Sequence, residues 1–393
     1  MKVRFSPIVA ICTCWVALAG CGEGDRSDHG AAVRDSAGIR IVTHSATSEE
    51  PRRHLQTDPG WPSEAELSFG ELVDLEVTPE GRVALLDRMT AELTVLSPGG
   101  EVEARFGGVG EGPGEMSPFG LFRVVATDST LVVPDIQLQR MTEFSLSGDV
   151  VATRSMMDFD GAGLGYAIDW RTYAAGGFVF RVLSGSGDAV LRIGEGAPDT
   201  LYARDLPMRR PGLVLAPSLV WDAAPDGRVA LARSDRAELR LWDPSTGTYT
   251  WISRGEETRR PLTDADIRHL EELVRADAEA GGAGPGELQA MLEGLEFPDH
   301  APALTAVYVS ADGSYWVQRA RAVQQMGRGA LRVGSVEEVG SSHWEVLDSD
   351  GVFRELVALP EGFTPRRFAG PWIYGILEDE LGVQTPARVP GGW

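Results

Sequence analysis

Pro79-Glu80-Gly81-Arg82-Val83-Ala84-Leu85 returns far along this chain as Pro225-Asp226-Gly227-Arg228-Val229-Ala230-Leu231. Looser copies stand at 128–133, 176–180 and 311–317. Each has turn residues, often an acid followed by glycine, that run into a β-rich apolar stretch, which is a hairpin signature. A second element follows most copies, at 93–102, 141–150, 239–247 and 344–352. It alternates apolar and polar, turns at a glycine and resumes as a strand. Two hairpins per unit make a four-stranded sheet, and units of about 40–50 residues with this content are propeller blades. One such sheet cannot bury its faces alone, so the units have to stack on one another.

Five units centre near Ala84, Val132, Val179, Ala230 and Trp316. At the ends stand a lone strand at 38–42 and a hairpin made of 372–377, a turn at 379–382 and 383–389. Pairing that first strand with the hairpin would complete a sixth blade and protect the open edges. The expected fold class is therefore all-β, a six-bladed β-propeller over residues 38–393. One stretch departs from the pattern. Thr263 with Asp266 reads as a helix cap, and Ile267, Leu270, Leu273 and Val274 recur at helical spacing. After Gly281-Gly282-Ala283-Gly284, a second short amphipathic run holds Leu288, Met291, Leu292 and Leu295. Residues 255–300 are expected to be a short helical insertion against one face of the propeller.

The first residues have the layout of an export signal: Lys2 and Arg4, an apolar run from Ile8 to Leu18, then Leu18-Ala19-Gly20-Cys21. The run is short for a membrane span, which needs about 20 residues. The stretch resembles the lipobox of bacterial lipoproteins. That resemblance implies a signal peptide at 1–20, cleavage before Cys21, and Cys21 as the lipidated first residue of the mature chain. The polar, small residues that follow are expected to form a flexible tether over 21–37. Localisation is then the bacterial cell envelope, exported and lipid-anchored. Gly22, in place of an inner-membrane-retaining Asp, favours the outer membrane by analogy.

Composition narrows the partners. The formal net charge is −22, and Lys2 is the only lysine. An acidic surface of this kind repels phosphate backbones, so nucleic acid is excluded as a partner. It also disfavours electrostatic adhesion to anionic lipid, so contact with the membrane would come from the N-terminal acyl chains. The three cysteines, Cys12, Cys14 and Cys21, fall in the signal or at its boundary, so the mature domain is expected to hold no disulfide and no thiolate metal site.

The chain as a whole resembles the bacterial six-bladed β-propeller lipoproteins, relatives of the NHL-repeat and TolB-like propellers. The residues that carry the likeness are the lipobox, Gly107-Gly108-Val109-Gly110-Glu111-Gly112-Pro113-Gly114-Glu115, Pro261-Leu262-Thr263, Phe297-Pro298-Asp299-His300-Ala301-Pro302-Ala303 and Glu378-Asp379-Glu380-Leu381-Gly382-Val383. In such proteins the glycine-rich loop is a connection between blades. The likeness implies an architecture and no particular activity.

Local motifs for chemistry are few. The glycine-rich loop is followed by no Lys-Ser/Thr pair, and Glu111 and Glu115 would repel a phosphate. Asp158-Phe159-Asp160-Gly161 and Asp348-Ser349-Asp350-Gly351 lack the distal ligands of a calcium loop and read as turns. His29, His44, His54, His269, His300 and His343 form no close ligand pair. No Gly-x-Ser-x-Gly elbow occurs. The tryptophans at 170, 221, 242, 316, 344 and 372 lie in or beside strands, where packing between blades is their ordinary role.

The acids at strand ends, Asp74, Asp87, Asp135 and Asp222, with Arg140, are the candidates for a ligand face. No catalytic residue is assigned. The reading preferred from the sequence is a non-enzymatic binding or scaffold module for a protein, peptide or glycan. The alternative is a metal-dependent hydrolase or lyase of the gluconolactonase or amidating-lyase propeller type. No cofactor is expected under the first. Under the second, a divalent cation such as calcium would sit on the axis, held by acids from several blades.

Overall fold

The structure, a computed structural model, describes residues 31–36, 39–44, 50–63, 67–156, 166–173, 177–184, 187–193, 199–204, 212–254, 259–328, 331 and 339–392. The signal at 1–20, Cys21, the first part of the tether, His29 and the turn at 158–161 lie outside them.

Three strands precede the first unit: β1 (Ala31–Ser36), β2 (Ile39–His44) and β3 (Arg53–His54). A four-stranded antiparallel sheet follows, made of β4 (Leu72–Val77), β5 (Val83–Asp87), β6 (Glu92–Leu96) and β7 (Val102–Gly107). The next holds β8 (Val125–Ala126), β9 (Thr130–Asp135), β10 (Arg140–Ser145) and β11 (Val150–Ser155), and the third β12 (Tyr166–Tyr173), β13 (Gly177–Ser184), β14 (Gly187–Ile193) and β15 (Asp199–Arg204). The fourth is built on β16 (Leu219–Ala223), β17 (Val229–Arg233), β18 (Glu238–Asp243) and β19 (Thr248–Ser253). After two helices, β20 (Ala306–Val309), β21 (Tyr315–Ala320), β22 (Gly340–Leu347) and β23 (Phe353–Ala358) form the fifth. A three-stranded sheet of β24 (Phe363–Ala369), β25 (Trp372–Glu378) and β26 (Gln384–Pro390) comes last. The first strands touch in order, β4 to β8, β12, β16, β20 and β24, and β24 touches β4. Small antiparallel sheets set around a common axis make this a β-propeller.

The recurring heptapeptide is a turn between the first two strands of a sheet. Gly81 donates its N–H to Thr78 O while Thr78 N–H bonds Arg82 O; Gly227 repeats this with Ala224, and Gly313 with Ser310. These glycines have φ of +82°, +87° and +96°, in the left-handed region that other residues avoid. A tight turn with one left-handed position therefore accounts for the spacing of the repeat. The strand beyond it is apolar because it lies inside: all five residues of β5 are buried.

The core is divided among the contacts between sheets. Leu86, Leu93, Val95, Leu131, Val133 and Phe144 join the first sheet to the second. Trp316, Trp344, Val357, Phe368 and Ile373 join the fifth to the last, with Phe368 5.2 Å from Trp316 and 5.1 Å from Tyr308 between ring centres. Leu75, Leu85, Tyr374 and Ile376 join the last sheet to the first.

The N-terminal strands go elsewhere than expected. β2 runs parallel to β19, with Val42 opposite Ile252, and β1 pairs antiparallel with β2. The first strand therefore extends the fourth sheet and leaves the terminal hairpin alone. Burial explains the choice. Val42 and His44 are buried there, His44 Nε2 lies 3.0 Å from Gly351 O, and Arg40 bonds Asp350 at 2.7 Å. The terminal hairpin gains β24 as its third strand from its own sequence. Residues 31–36, expected within the tether, are likewise strand: Ala31 is fully buried and Val33 packs on the same core.

The insertion is helical as expected, with α1 (Asp264–Ala280) and α2 (Pro285–Glu293). Thr263 Oγ accepts from Asp266 N–H and the Asp266 carboxylate accepts from Thr263 N–H, a reciprocal cap. Leu270 and Leu273 are buried in the core shared by the fourth and fifth sheets.

Candidate functional site

Charged residues line the inner strands, and backbone bulges put several of them there. The pairing register shifts between Leu72 and Asp74 in β4, between Ala167 and Asp169 in β12, and between Pro365 and Arg367 in β24. A bulge adds one residue to a strand and re-aims the side chain beside it. In all three strands the residue after the shift is charged.

These residues form a continuous chain across sheets. Arg367 Nε donates to Glu76 at 2.7 Å, and Arg367 Nη2 stands 3.9 Å from Asp74. Asp74, fully buried, accepts Val124 N–H at 3.0 Å and faces Arg123 at 3.4 Å. Arg123 donates to Asp169 at 2.6 Å, and Arg171 donates to Asp169 at 2.8 Å and to Asp222 at 2.7 Å. Asp222 also accepts Val309 N–H of β20 at 2.9 Å. Asp74 and Asp222 do the same job: each takes the main-chain N–H at or beside the next inner strand as well as a guanidinium.

The protonation states follow. Burial by itself would raise the carboxyl pKa of Asp169, but Arg123 and Arg171 outweigh it and hold the group well below the usual carboxylate range. Burial would likewise favour a neutral Arg367, yet Glu76 and Asp74 outweigh it and raise its pKa further. Both groups are charged at any physiological pH.

A cavity of about 720 Å³ opens where the inner strands end. Glu76, Arg171 and Arg367 line it, together with the turns at 79–81 and 127–129, Pro225, Ala311, and the aromatic side of Trp372 and Tyr374. Arg367 Nη2 is buried there without a hydrogen-bond partner. The cavity thus has a polar side, where Glu76, Arg171 and Arg367 stand, and an aromatic wall. That composition suits a ligand with both polar and apolar faces.

Of the residues singled out from sequence, Asp74 and Asp222 belong to this axial chain. Asp87 and Asp135 stand elsewhere and act as clips. Asp87 accepts the N–H groups of Gly70, Glu71 and Met89, and Asp135 accepts those of Ser117, Gln137 and Leu138. Arg140 donates to the carbonyls of Glu111, Gly112 and Glu115, pinning the glycine-rich loop as a connection between sheets. Glu76, Arg123, Asp169, Arg171 and Arg367 were missed. Their only sequence signal is a charge inside an otherwise apolar strand, as in Asp169-Trp170-Arg171.

The donor set does not fit a divalent cation. Calcium takes six to eight oxygen ligands. Here the oxygens of Asp74 and Asp222 already accept main-chain N–H groups, and guanidinium ions stand where a metal would need further oxygens. Among the described residues no three His, Cys, Asp or Glu side chains gather into a metal-ligating group. Asp348 of the other acidic turn accepts the N–H groups of Asp350 and Val352, as in a plain turn. His269 Nε2 meets Met326 O, and His300 lies beside Arg259. Trp221, Trp242, Trp316 and Trp344 are buried, and Arg388 covers the ring of Trp372 at 4.0 Å.

No family model and no curated protein matches the chain. Solved structures do resemble it. A member of the DUF4221 family from Bacteroides vulgatus aligns at 9% identity, covering 85% of this chain and 94% of that one, with a TM-score of 0.50. A putative exported protein from Bacteroides fragilis aligns at 10% identity over 89% and 99% of the two chains, with a TM-score of 0.48. The calcium-binding protein regucalcin from Agrobacterium tumefaciens aligns at 12% identity over 87% and 97%, with a TM-score of 0.42. At such identities the likeness is one of fold, and the fold is the β-propeller.

Proposed function

We propose that this protein is a six-bladed β-propeller lipoprotein of the cell envelope, anchored through a lipid on Cys21, that binds a protein, peptide or glycan in its axial cavity. The observation that carries this reading is the pairing of the axial charges. Among the described residues each carboxylate on the axis is engaged by guanidinium or main-chain N–H, so none of them stands free as a nucleophile, a general base or a metal ligand. What the axis does provide is a roomy cavity with mixed polar and aromatic lining. A module that binds without turnover needs no more than that.

The test is site-specific photocrosslinking in intact cells. A photoreactive residue at Asp128, on the cavity rim, is expected to capture one discrete envelope component. The same residue at Leu381, exposed in the turn between β25 and β26 at the other end of the last sheet from the cavity-lining turn at 370–371, is expected to capture none. Equal capture at both positions, or saturable turnover of a small substrate by the purified protein, would overturn the binding reading. Metabolic labelling with a palmitate analogue, lost in Cys21→Ala, tests the anchor separately.

A further inference from the structure

A second cleft lies at the opposite end of the inner strands, where β20 and β24 begin. It measures about 180 Å³, an order of magnitude above the roughly 10–15 Å³ that holds one water. Arg321, Arg366 and Glu361 supply its charge, and Tyr308, Trp344 and Phe363 are among its apolar walls.

The two arginines are under-used. Arg366 is the extra residue of the β24 bulge, so it is aimed independently of Arg367. Its side chain makes no hydrogen bond among the described residues, its Nε is buried without a partner, and the nearest carboxylate, Asp74, is 4.0 Å away. Arg321 is fixed through its main-chain N–H to Val339 O. Its guanidinium has no hydrogen bond or ion pair among the described residues. The one acid in the cleft, Glu361, already accepts the Ser342 hydroxyl at 3.0 Å. Among the residues that line the cleft, two guanidiniums stand against one carboxylate, and Asp74 behind Arg366 is already shared with Arg123 and Arg367.

We propose that this cleft is a binding subsite for a small organic carboxylate, held between Arg321 and Arg366. A guanidinium fork matches a planar carboxylate. The aromatic walls suit the carbon chain behind it. Glu361 in the same space repels a phosphate dianion more than a carboxylate monoanion. The subsite shares no lining residue with the axial cavity, and Asp74 of the axial chain stands 4.0 Å behind Arg366.

Butyrate and its neutral isostere butyramide are the probes, titrated by calorimetry into the whole protein at constant ionic strength. Butyrate is expected to bind saturably and butyramide not to. Inorganic phosphate is expected to bind at least tenfold more weakly than butyrate. Arg321→Ala should weaken butyrate at least tenfold with an unchanged melting temperature. Arg321→Gln, which keeps more of the stem, should do the same if the alanine variant unfolds. Arg366→Lys keeps the charge and loses the fork, so it should also weaken binding. The proposal is overturned if butyrate fails to bind, if butyramide binds equally, if phosphate binds more tightly, or if folded Arg321 variants bind butyrate unchanged.

Discussion

The axis and the contacts between sheets bury side chains equally deeply and by opposite means. Trp316 and Asp74 are both fully buried. Trp316 is held by apolar neighbours from the fifth and last sheets, each of which would pack against any well-fitting hydrocarbon. Asp74 is held by partners that need it charged: Val124 N–H, Arg123 and, more distantly, Arg367. A contact between sheets is a sum of small, replaceable attractions. The axis is a set of mutual obligations, because every charge removed leaves another one buried without its partner.

That difference can be broken open by substitution. The largest effect is expected for Trp316→Ala, at about 3–5 kcal/mol in urea unfolding. Combined with Leu86→Ala at a different pair of sheets, the losses should add to within about 0.5 kcal/mol. Asp222→Leu alone should cost about 3 kcal/mol or more, and Arg171→Met alone a similar amount. The double variant should cost less than the sum, since neither charge is then stranded. Additive losses on the axis would erase the distinction.

Acid sharpens the same contrast. The folded-state pKa of Asp169 lies below its unfolded value, so this group contributes stability above the ordinary carboxylate range, around pH 3.9. That contribution is lost as pH falls through the lower folded value. Unfolding midpoints should therefore fall steeply below about pH 4, and less steeply in Asp169→Asn. Trp316→Ala should shift the whole profile without changing its slope. A smaller loss, about 1–3 kcal/mol, is expected for Asp87→Ala, which leaves three main-chain N–H groups short of an acceptor. The smallest belongs to Asp350→Ala, which removes only an exposed ion pair with Arg40 and should stay within about 0.5 kcal/mol.

The same contrast explains what could be read from the sequence. The sheets were legible because the turn repeats: a left-handed glycine at 81, 227 and 313 follows the same bonding pattern each time. The helical insertion was legible because Thr263 and Asp266 cap it locally. Pairing between distant strands was not. β2 could have joined either open edge, and the burial of Val42 and His44, with the contacts of His44 and Arg40 to the turn at 350–351, selects β19. The axial site was legible only in Asp74 and Asp222. The bulges before Asp74, Asp169 and Arg367 break the alternation from which the inward face of a strand is inferred. The partners also come from different sheets, 49 positions apart for Asp74 and Arg123 and 51 for Arg171 and Asp222. Asp87 and Asp135 carry the same residue type at a strand end, yet their oxygens face main-chain N–H groups of two neighbouring loops, at 70–71 and 89 for Asp87 and at 117 and 137–138 for Asp135.

The central claim is that the carboxylates of the axis are satisfied by arginine and main-chain N–H, and so are not held in reserve for a metal. Calcium titration calorimetry on the purified protein, with melting curves before and after a chelator, tests it directly. No saturable calcium binding and an unchanged melting temperature are expected. A tightly held calcium ion lost in Asp74→Asn or Asp222→Asn, with a chelator-sensitive melt, would contradict it and turn attention to metal-dependent hydrolysis.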